Sequence, residues 1–209
     1  MTKNRLTPFT QNDYLIEKRE VVYQGIFRVA TYHLRFRLFN GDMSETVIRE
    51  VFERKSVVAL LPYDPTNDTV ILIEQFRPGA LANPQSPWLM EIIAGTFDAN
   101  EKPKEAAHRE TLEESGCEIL DLLPICEYFV SPGGSNEYLF LFCGHVHTNN
   151  AGGIFGVQAE HEDIRNIILP IDEALIMLQK GQIKTPPAII GLQWLQLNKE
   201  WLKQLWLKN

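Results

Sequence analysis

The feature that most constrains this chain is a stretch of glycines and acidic residues at fixed spacing, GTFDANEKPKEAAHRETLEESGC. Pro103 stands where the first turn of a helix tolerates a missing N–H, and Gly116 stands where a helix ends in a left-handed residue. Between them, Glu110, Glu113 and Glu114 follow the i, i+3, i+4 spacing, so their carboxylates share one helical face. Like charges at this spacing cost about 0.2–0.5 kcal/mol each, and the pattern therefore favours a helix that binds a cation.

The donor chemistry of this face favours a hard metal ion. Clustered carboxylates without neighbouring Cys or His ligands favour Mg²⁺, with Mn²⁺ as an alternative, over Zn²⁺. Such ions bridge phosphate oxygens and acidify a bound water, which points to hydrolysis or transfer at phosphorus. The alternative interpretation is an acidic helix that only faces solvent, since charge runs usually do.

The spacing resembles the Nudix box, G-x5-E-x7-R-E-U-x-E-E-x-G-U, in which U is an aliphatic residue. Every glycine and charged position matches, among them Gly95, Glu101 and Arg109. The two U positions hold Thr111 and Cys117 instead, a departure that concerns helix packing rather than the acidic face. The resemblance implies a salt bridge from Arg109 to Glu101 that links the preceding loop to the helix.

The resemblance to the Nudix hydrolase family also implies the roles of the acidic residues. Glu110 and Glu114 are the expected principal metal ligands, and the backbone carbonyl of Ala94 is a further one. Glu113 is expected to be auxiliary in catalysis. The implied fold is α/β: a Nudix α/β/α sandwich with a mixed sheet, preceded by a small antiparallel β subdomain.

Three features outside the box resemble the ADP-ribose pyrophosphatase subfamily. Pro132 lies sixteen residues after Gly116, within SPGGSNE, and the segments IREVFER and LIEQFRPGA resemble N-terminal segments of that subfamily. In that subfamily the adenine is held from the partner subunit and an arginine meets the diphosphate. The substrate-binding residues that follow are Arg49 and Glu50 for adenine, Arg77 for the diphosphate, and Ser131, Pro132 and Glu137.

The segment AEHEDIR resembles the mobile acidic loop that supplies the catalytic base in this subfamily. Glu160 is the preferred base, and Glu162 is the second choice or an extra ligand. A flexible loop that closes over metal ions suits a gated hydrolase. Glutamates in such loops are, however, most often only solvated.

The other candidates also have purely structural interpretations. Pro132 among glycines is compatible with a simple turn, and Arg49 and Glu50 with a cross-strand ion pair of little consequence. Arg77 ends an apolar strand, where a lone arginine is commonly a surface cap. For Phe27, core packing is preferred over stacking on adenine.

Length and charge limit the remaining possibilities. The 209 residues suffice for one well-cored domain and a subdomain, assigned to residues 55–209 and 1–54. A net charge of −7 makes nucleic acids and anionic membranes poor partners. No signal peptide or membrane span is recognisable. The three scattered cysteines indicate reduced, buried thiols in a cytoplasmic protein.

The order of elements follows from apolar periodicity. Alternating residues from Ile16 to about Phe39 predict strands, and Asn40-Gly41 predicts a hairpin turn before a return strand. Two apolar runs, SVVALLPYD and TVILIEQFRP, predict buried strands. Near the C-terminus, Asp172 is expected to cap a short helix that ends at Gly181, and a last amphipathic helix spans about 188–207.

The resulting prediction is Mg²⁺-dependent hydrolysis of ADP-ribose to AMP and ribose 5-phosphate. By resemblance, the enzyme is a homodimer that exchanges its N-terminal subdomain, and its partner molecule is a small nucleoside diphosphate sugar. One alternative is a Nudix hydrolase of another nucleotide sugar such as GDP-mannose. The other is a Nudix-fold regulator that binds nucleotides without hydrolysis.

Overall fold

In a computed structural model, the described residues are 9–98, 100–149 and 151–207, without the side chain of Glu160. They form eleven strands and three α-helices. The chain divides into two compact units, one that holds the chain up to Arg54 together with residues 129–137, and one that holds the rest. Residues 129–137, which were assigned by sequence to the larger domain, therefore group with the smaller unit.

The smaller unit contains a three-stranded antiparallel sheet. Its strands are β1 (Tyr14–Gln24), β2 (Arg28–Phe36) and β3 (Val47–Glu53), in that order. The predicted turn at Asn40-Gly41 is confirmed: Gly41 has a φ of 96°, and its N–H donates to the carbonyl of Leu38 at 3.0 Å. A positive φ is where glycine is favoured, so the sequence signal has a direct conformational cause.

The segment 129–137 is attached to the end of β3 within the same unit. The N–H of Phe52 donates to the carbonyl of Gly134 at 2.8 Å, and the N–H of Arg54 donates to Asn136 Oδ1 at 2.7 Å. These bonds hold the loop that carries Pro132 beside the strand that carries Arg49.

The larger unit is built on an eight-stranded mixed sheet of order β10-β11-β5-β4-β9-β8, with β6 paired to β5 and β7 paired to β4. The β4–β9 pair is parallel, and β4 also pairs antiparallel with β5. The eight residues of β4 are all buried, as a central strand covered on both faces requires. The strands are β4 (Val57–Asp64), β5 (Thr69–Phe76), β6 (Trp88–Glu91), β7 (Ile93–Thr96), β8 (Asp121–Phe129), β9 (Tyr138–His145), β10 (Gly153–Phe155) and β11 (Ile164–Pro170).

Helices cover both faces of this sheet. Helix α1 (Pro103–Ser115) packs Ala106 and Ala107 on one face. Helices α2 (Ile171–Gln179) and α3 (Pro186–Trp206) belong to the apolar cluster on the other face. Each fully buried leucine of that cluster contributes about 1.5–3 kcal/mol. The layers confirm the predicted α/β/α sandwich with a mixed sheet.

Both ends of α1 lie where the sequence predicts them. Pro103 is the first helical residue, and Gly116 follows the last with a φ of 66°. Thr111 and Cys117, which occupy the aliphatic positions of the box, are both buried. The departure from the family pattern thus lies in the packed side of the helix, as expected.

Three sequence predictions about local structure are wrong. Asp172 lies in the first turn of α2, after Pro170 at the cap position, because the helix follows β11 without a loop. Helix α3 begins at Pro186, two residues before the predicted start of the last helix. Cys126 is exposed on β8, the last strand of the sheet, whereas Cys117 and Cys143 are buried.

Among the described residues, no helix combines the length and apolarity needed to cross a membrane.

Candidate active site

Gly95 on β7 makes room for the carboxylate of Glu110. A Cβ built at Gly95 would come within 1.8 Å of Glu110 Oε1. Glu110 is only 9% exposed, and its Oε1 accepts a hydrogen bond from Arg109 Nη1 at 2.7 Å. Burial raises the pKa of Glu110, although the charge of Arg109 opposes the rise. The first glycine of the box therefore has a steric role in placing a buried acid.

Glu114 lies one turn further along the same face and is 2% exposed. Its Oε2 accepts a hydrogen bond from the N–H of Ala94 at 3.0 Å. Burial raises the pKa of Glu114 to about 8, and the charges of Glu110 and Glu162 add to the rise. The hydrogen bond from Ala94 and the charge of Arg77 act in the opposite direction. A buried acid beside other acids is stabilised as a carboxylate by a nearby cation.

Arg109 links the loop before α1 to the acidic face. Its Nε and Nη2 donate to Glu101 at 3.0 and 3.1 Å, which confirms the predicted salt bridge. Its Nη1 also donates to Glu110 and, at 3.0 Å, to Glu113. Hydrogen bonds to Glu101 raise the pKa of Arg109, so this side chain stays charged. The arginine therefore serves to order the carboxylates.

The donors on this face fit a hard divalent cation. Within the described residues, no group of three His, Cys, Asp or Glu side chains is arranged to hold a metal ion. Magnesium seldom needs such a group, because it is usually held by one or two carboxylates together with waters and substrate phosphates. Glu110 and Glu114, with the backbone of Ala94 beside them, form a donor set of that kind.

Arg77 follows β5 and faces the same layer as α1. Its Nε donates to Glu91 Oε2 at 2.7 Å. Its charge acts on Glu114, whose pKa it lowers. Sequence analysis did not identify Glu91 as the partner of Arg77. The two residues meet because of the register between β5 and β6, which cannot be read from the sequence.

The loop between β10 and β11 brings Glu162 within electrostatic reach of both buried acids, since its charge raises the pKa of each. Glu162 Oε2 accepts a hydrogen bond from the N–H of Val157 at 3.1 Å. The backbone of Glu160 ends the 3₁₀ turn Gln158–Glu160, and its side chain lies outside the described part of the structure.

The candidate adenine-binding residues lie on β3 of the smaller unit. Arg49 and Glu50 are both exposed and pair across the sheet with Tyr32 and Thr31 of β2. Arg49 Nη1 donates to the carbonyl of Ile48 at 2.8 Å. Both side chains are accessible to a ligand, and both remain predictions.

The remaining candidates form part of the loop attached to β3. The carbonyl of Ser131 accepts hydrogen bonds from the N–H groups of Gly134 and Ser135, so Pro132 occupies a tight turn. Glu137 Oε1 lies 3.8 Å from Arg54 Nη2.

Phe27 belongs to the same unit as this loop. It is exposed rather than part of the core, and its ring centroid lies 5.0 Å from the Arg54 guanidinium. The preferred prediction of core packing for Phe27 is therefore wrong.

The larger unit thus holds Ala94, Arg77, the acids of α1 and the loop of Glu160 and Glu162, and the smaller unit holds the other candidates. The family described as NUDIX domain matches residues 52–189, and the chain belongs to that family.

More specific similarity comes from individual relatives. The ADP-ribose pyrophosphatase of Escherichia coli (strain K12) is 40% identical over 198 residues, which cover 95% of each chain. The ADP-ribose pyrophosphatase of Haemophilus influenzae is 39% identical over 204 residues, or 96% of this chain and 94% of its own. A GDP-mannose pyrophosphatase of Salmonella typhimurium is 34% identical over 170 residues, or 81% of this chain and 86% of its own.

A solved structure described as an ADP compounds hydrolase has a similar fold. Its TM-score is 0.69, with 22% identity over 93% of this chain and 96% of that one. At this level of identity, the likeness concerns the fold alone.

Proposed function

We propose that this protein hydrolyses the diphosphate of ADP-ribose and releases AMP and ribose 5-phosphate. The observation that carries the proposal is the pair of buried acids, Glu110 and Glu114, on a helix face to which Arg77 is electrostatically coupled. The relatives of the same length that are named ADP-ribose pyrophosphatases support this substrate.

In the proposed mechanism, the residues of α1 prepare the site before substrate binds. Glu110 and Glu114 would hold Mg²⁺, or Mn²⁺ in its place, with the carbonyl of Ala94. The bound ion would neutralise charge that develops on the diphosphate and acidify a water. Arg109 keeps Glu110 and Glu113 in fixed orientations through its hydrogen bonds. Such preorganisation is usually the largest contribution to catalysis at a charged centre.

Arg77 and the acidic loop supply the remaining groups. Arg77 would donate hydrogen bonds to the diphosphate oxygens. Glu160, or Glu162 as second candidate, would take the proton of the attacking water, and Glu113 would assist. The water oxygen would form a bond to one phosphorus as the bond from that phosphorus to the bridging oxygen breaks, and each product would leave with one phosphate.

The proposal includes a homodimer in which Arg49 and Glu50 reach the adenine of the partner's site. Its support is β1, which is exposed along its whole length of eleven residues. The strand includes Leu15 and Val22, which are more than half exposed. Apolar surface of this extent on a sheet favours burial against another protein surface.

Subunit mixing tests this arrangement. Co-expressed Glu114→Gln and Arg49→Ala/Glu50→Ala chains should form mixed dimers, each with one site that carries both defects and one intact site. Mixed dimers should therefore recover up to about half of the wild-type activity. If activity in the mixture does not exceed the mean of the two parent variants, the shared site is wrong.

Composition supports the other parts of the proposal. The net charge of −7 disfavours nucleic acids and anionic membranes as partners. The three cysteines are free, which suits a reducing cytoplasm. A small nucleotide sugar thus remains the expected partner molecule.

A substrate panel tests the activity itself. ADP-ribose and GDP-mannose should be compared in Mg²⁺, because one relative is a GDP-mannose pyrophosphatase. The reaction in ¹⁸O-labelled water identifies the attacked phosphorus from the product that carries the label. A higher kcat/KM for GDP-mannose would replace the proposed substrate, and ADP-ribose binding without turnover would favour a regulator.

A further inference from the structure

We infer that Glu91 is a positioning residue that fixes Arg77 for contact with the diphosphate. The inference rests on the proposed function, because it assigns to Glu91 a role through the residue expected to meet the substrate. Glu91 lies outside the Nudix box, in the strand that leads to it.

The backbone brings the two residues together. In the antiparallel β5–β6 pair, Ile73 lies opposite Glu91, so these two side chains share one face of the sheet. The N–H of Arg77 continues the ladder by donating to the carbonyl of Pro87 at 2.9 Å. Arg77, four residues after Ile73, therefore points to the same face, which is the face that α1 covers.

Burial of the pair is unequal. The side chain of Glu91 is 14% exposed, whereas that of Arg77 is 39% exposed. The carboxylate is thus held within the protein, and the guanidinium extends from it toward solvent. Loss of the arginine would leave this largely buried carboxylate without its cationic partner, which is costly.

Among the described residues, the contact with Glu91 involves only Nε and leaves the terminal nitrogens of Arg77 available. Glu91 Oε2 accepts from Nε at 2.7 Å. An arginine has five N–H donors, and those of the terminal nitrogens match the paired oxygens of a phosphate. A long side chain that is already ordered loses less entropy when it binds an anion. Glu91 therefore lowers the entropic cost of binding the diphosphate without contacting the substrate.

A double-mutant cycle on ADP binding tests this role. ADP affinity in Mg²⁺ should be measured by calorimetry for wild type, Glu91→Ala, Arg77→Ala and the double variant. Glu91→Ala should weaken ADP binding about tenfold, as loss of an orienting partner does elsewhere. In the Arg77→Ala background, Glu91→Ala should weaken ADP binding less than twofold, because its effect depends on Arg77.

Two further variants separate positioning from structure. Glu91→Gln keeps an oxygen that can accept from Nε and should recover most of the affinity. Glu74→Ala is a matched control, because Glu74 follows Ile73 in β5, lies on the opposite face of the sheet and pairs with Arg165. This variant should bind ADP as tightly as wild type, and its melting temperature should be comparable to that of Glu91→Ala.

Several results would overturn the inference. It is wrong if Glu91→Ala weakens ADP binding as much in the Arg77→Ala background as in wild type. It is equally wrong if Glu91→Gln binds ADP as weakly as Glu91→Ala does. It is also wrong if wild type does not bind ADP. If wild type binds ADP but does not hydrolyse ADP-ribose, the proposed function fails, and the cycle still decides the role of Glu91.

Discussion

The Cα of Gly95 lies so close to the carboxylate of Glu110 that a Cβ at this position would meet Oε1 at 1.8 Å and Cδ at 1.9 Å. Gly95→Ala should therefore displace the end of the Glu110 side chain. Because the clash involves only the end of a side chain and no backbone atom, the free energy of unfolding should fall by only about 1–3 kcal/mol. A misplacement of about 1 Å at a reacting centre costs roughly 100-fold, and kcat/KM should fall accordingly.

The matched control for this change is Gly152→Ala. There the nearest atom to a new Cβ is Ile168 Cδ1 at 3.8 Å, an ordinary contact. Its activity and melting temperature should equal those of wild type. Wild-type turnover by Gly95→Ala would show that the position of Glu110 is not needed.

Replacing Glu114 with glutamine should remove nearly all turnover from a protein that still folds. The change removes one of the two carboxylates expected to hold Mg²⁺, and loss of several kcal/mol of charge stabilisation lowers the rate by about 10²–10³-fold. Mg²⁺ should raise the melting temperature of wild type and not of the variant.

Glu105→Gln serves as the control on the same helix. Glu105 is an exposed residue of the first turn of α1 and pairs with Lys102. This variant should keep both the activity and the response to Mg²⁺. An active Glu114→Gln enzyme would remove Glu114 from the proposed ligand set.

Arg109→Lys should weaken the connection between the loop and α1. Lysine cannot reproduce the two parallel hydrogen bonds that Arg109 makes to Glu101. The pair is partly exposed, so the free energy of unfolding should fall by about 1–2 kcal/mol. Urea unfolding of Arg109→Lys, Glu101→Gln and the double variant measures the coupling energy between the two residues. If the losses in the free energy of unfolding simply add in the double variant, the two side chains are not coupled and the prediction is wrong.

Acid should destabilise the smaller unit through Glu53. Hydrogen bonds from Arg19, Tyr32 and Arg28 lower the pKa of Glu53 to about 2, from 4.5 in the absence of such partners, although burial opposes the shift. The stability that this carboxylate contributes is therefore present above pH 4.5 and is lost as the pH falls toward 2.

Melting temperatures between pH 6 and 2 measure this loss. Wild type should lose more stability below pH 4.5 than Glu53→Gln, whose amide does not titrate. Glu45→Gln, at an exposed position of the same unit, should behave as wild type. If the melting temperatures of wild type and Glu53→Gln fall in parallel with pH, the Glu53 carboxylate does not make the expected contribution to stability.

The parts of the fold that the sequence predicted are those encoded over short distances. Helix α1 begins at a proline and ends before a glycine, and these residues act on the backbone directly. The turn at Asn40-Gly41 is another local signal. The arrangement of layers followed from the family resemblance, because nothing local determines the strand order.

The errors arose where distant parts of the chain meet. Cys126 is exposed because β8 is the last strand of the sheet, and strand order cannot be read from an apolar run. Glu91 meets Arg77 only through the β5–β6 register, which depends on how the intervening loop closes. Asp172 has the chemistry of a cap, but the preceding strand leads straight into the helix.

The two ends of α1 also determine which changes in chain length the site can tolerate. Pro103 starts the helix and Gly116 ends it. A residue inserted between Pro103 and Glu110 would turn both buried acids by about 100° around the helix axis and away from β7. Substitution of a solvent-facing residue such as Glu105 should therefore leave the acids in place, whereas gain or loss of a single residue between Pro103 and Glu110 should displace both of them.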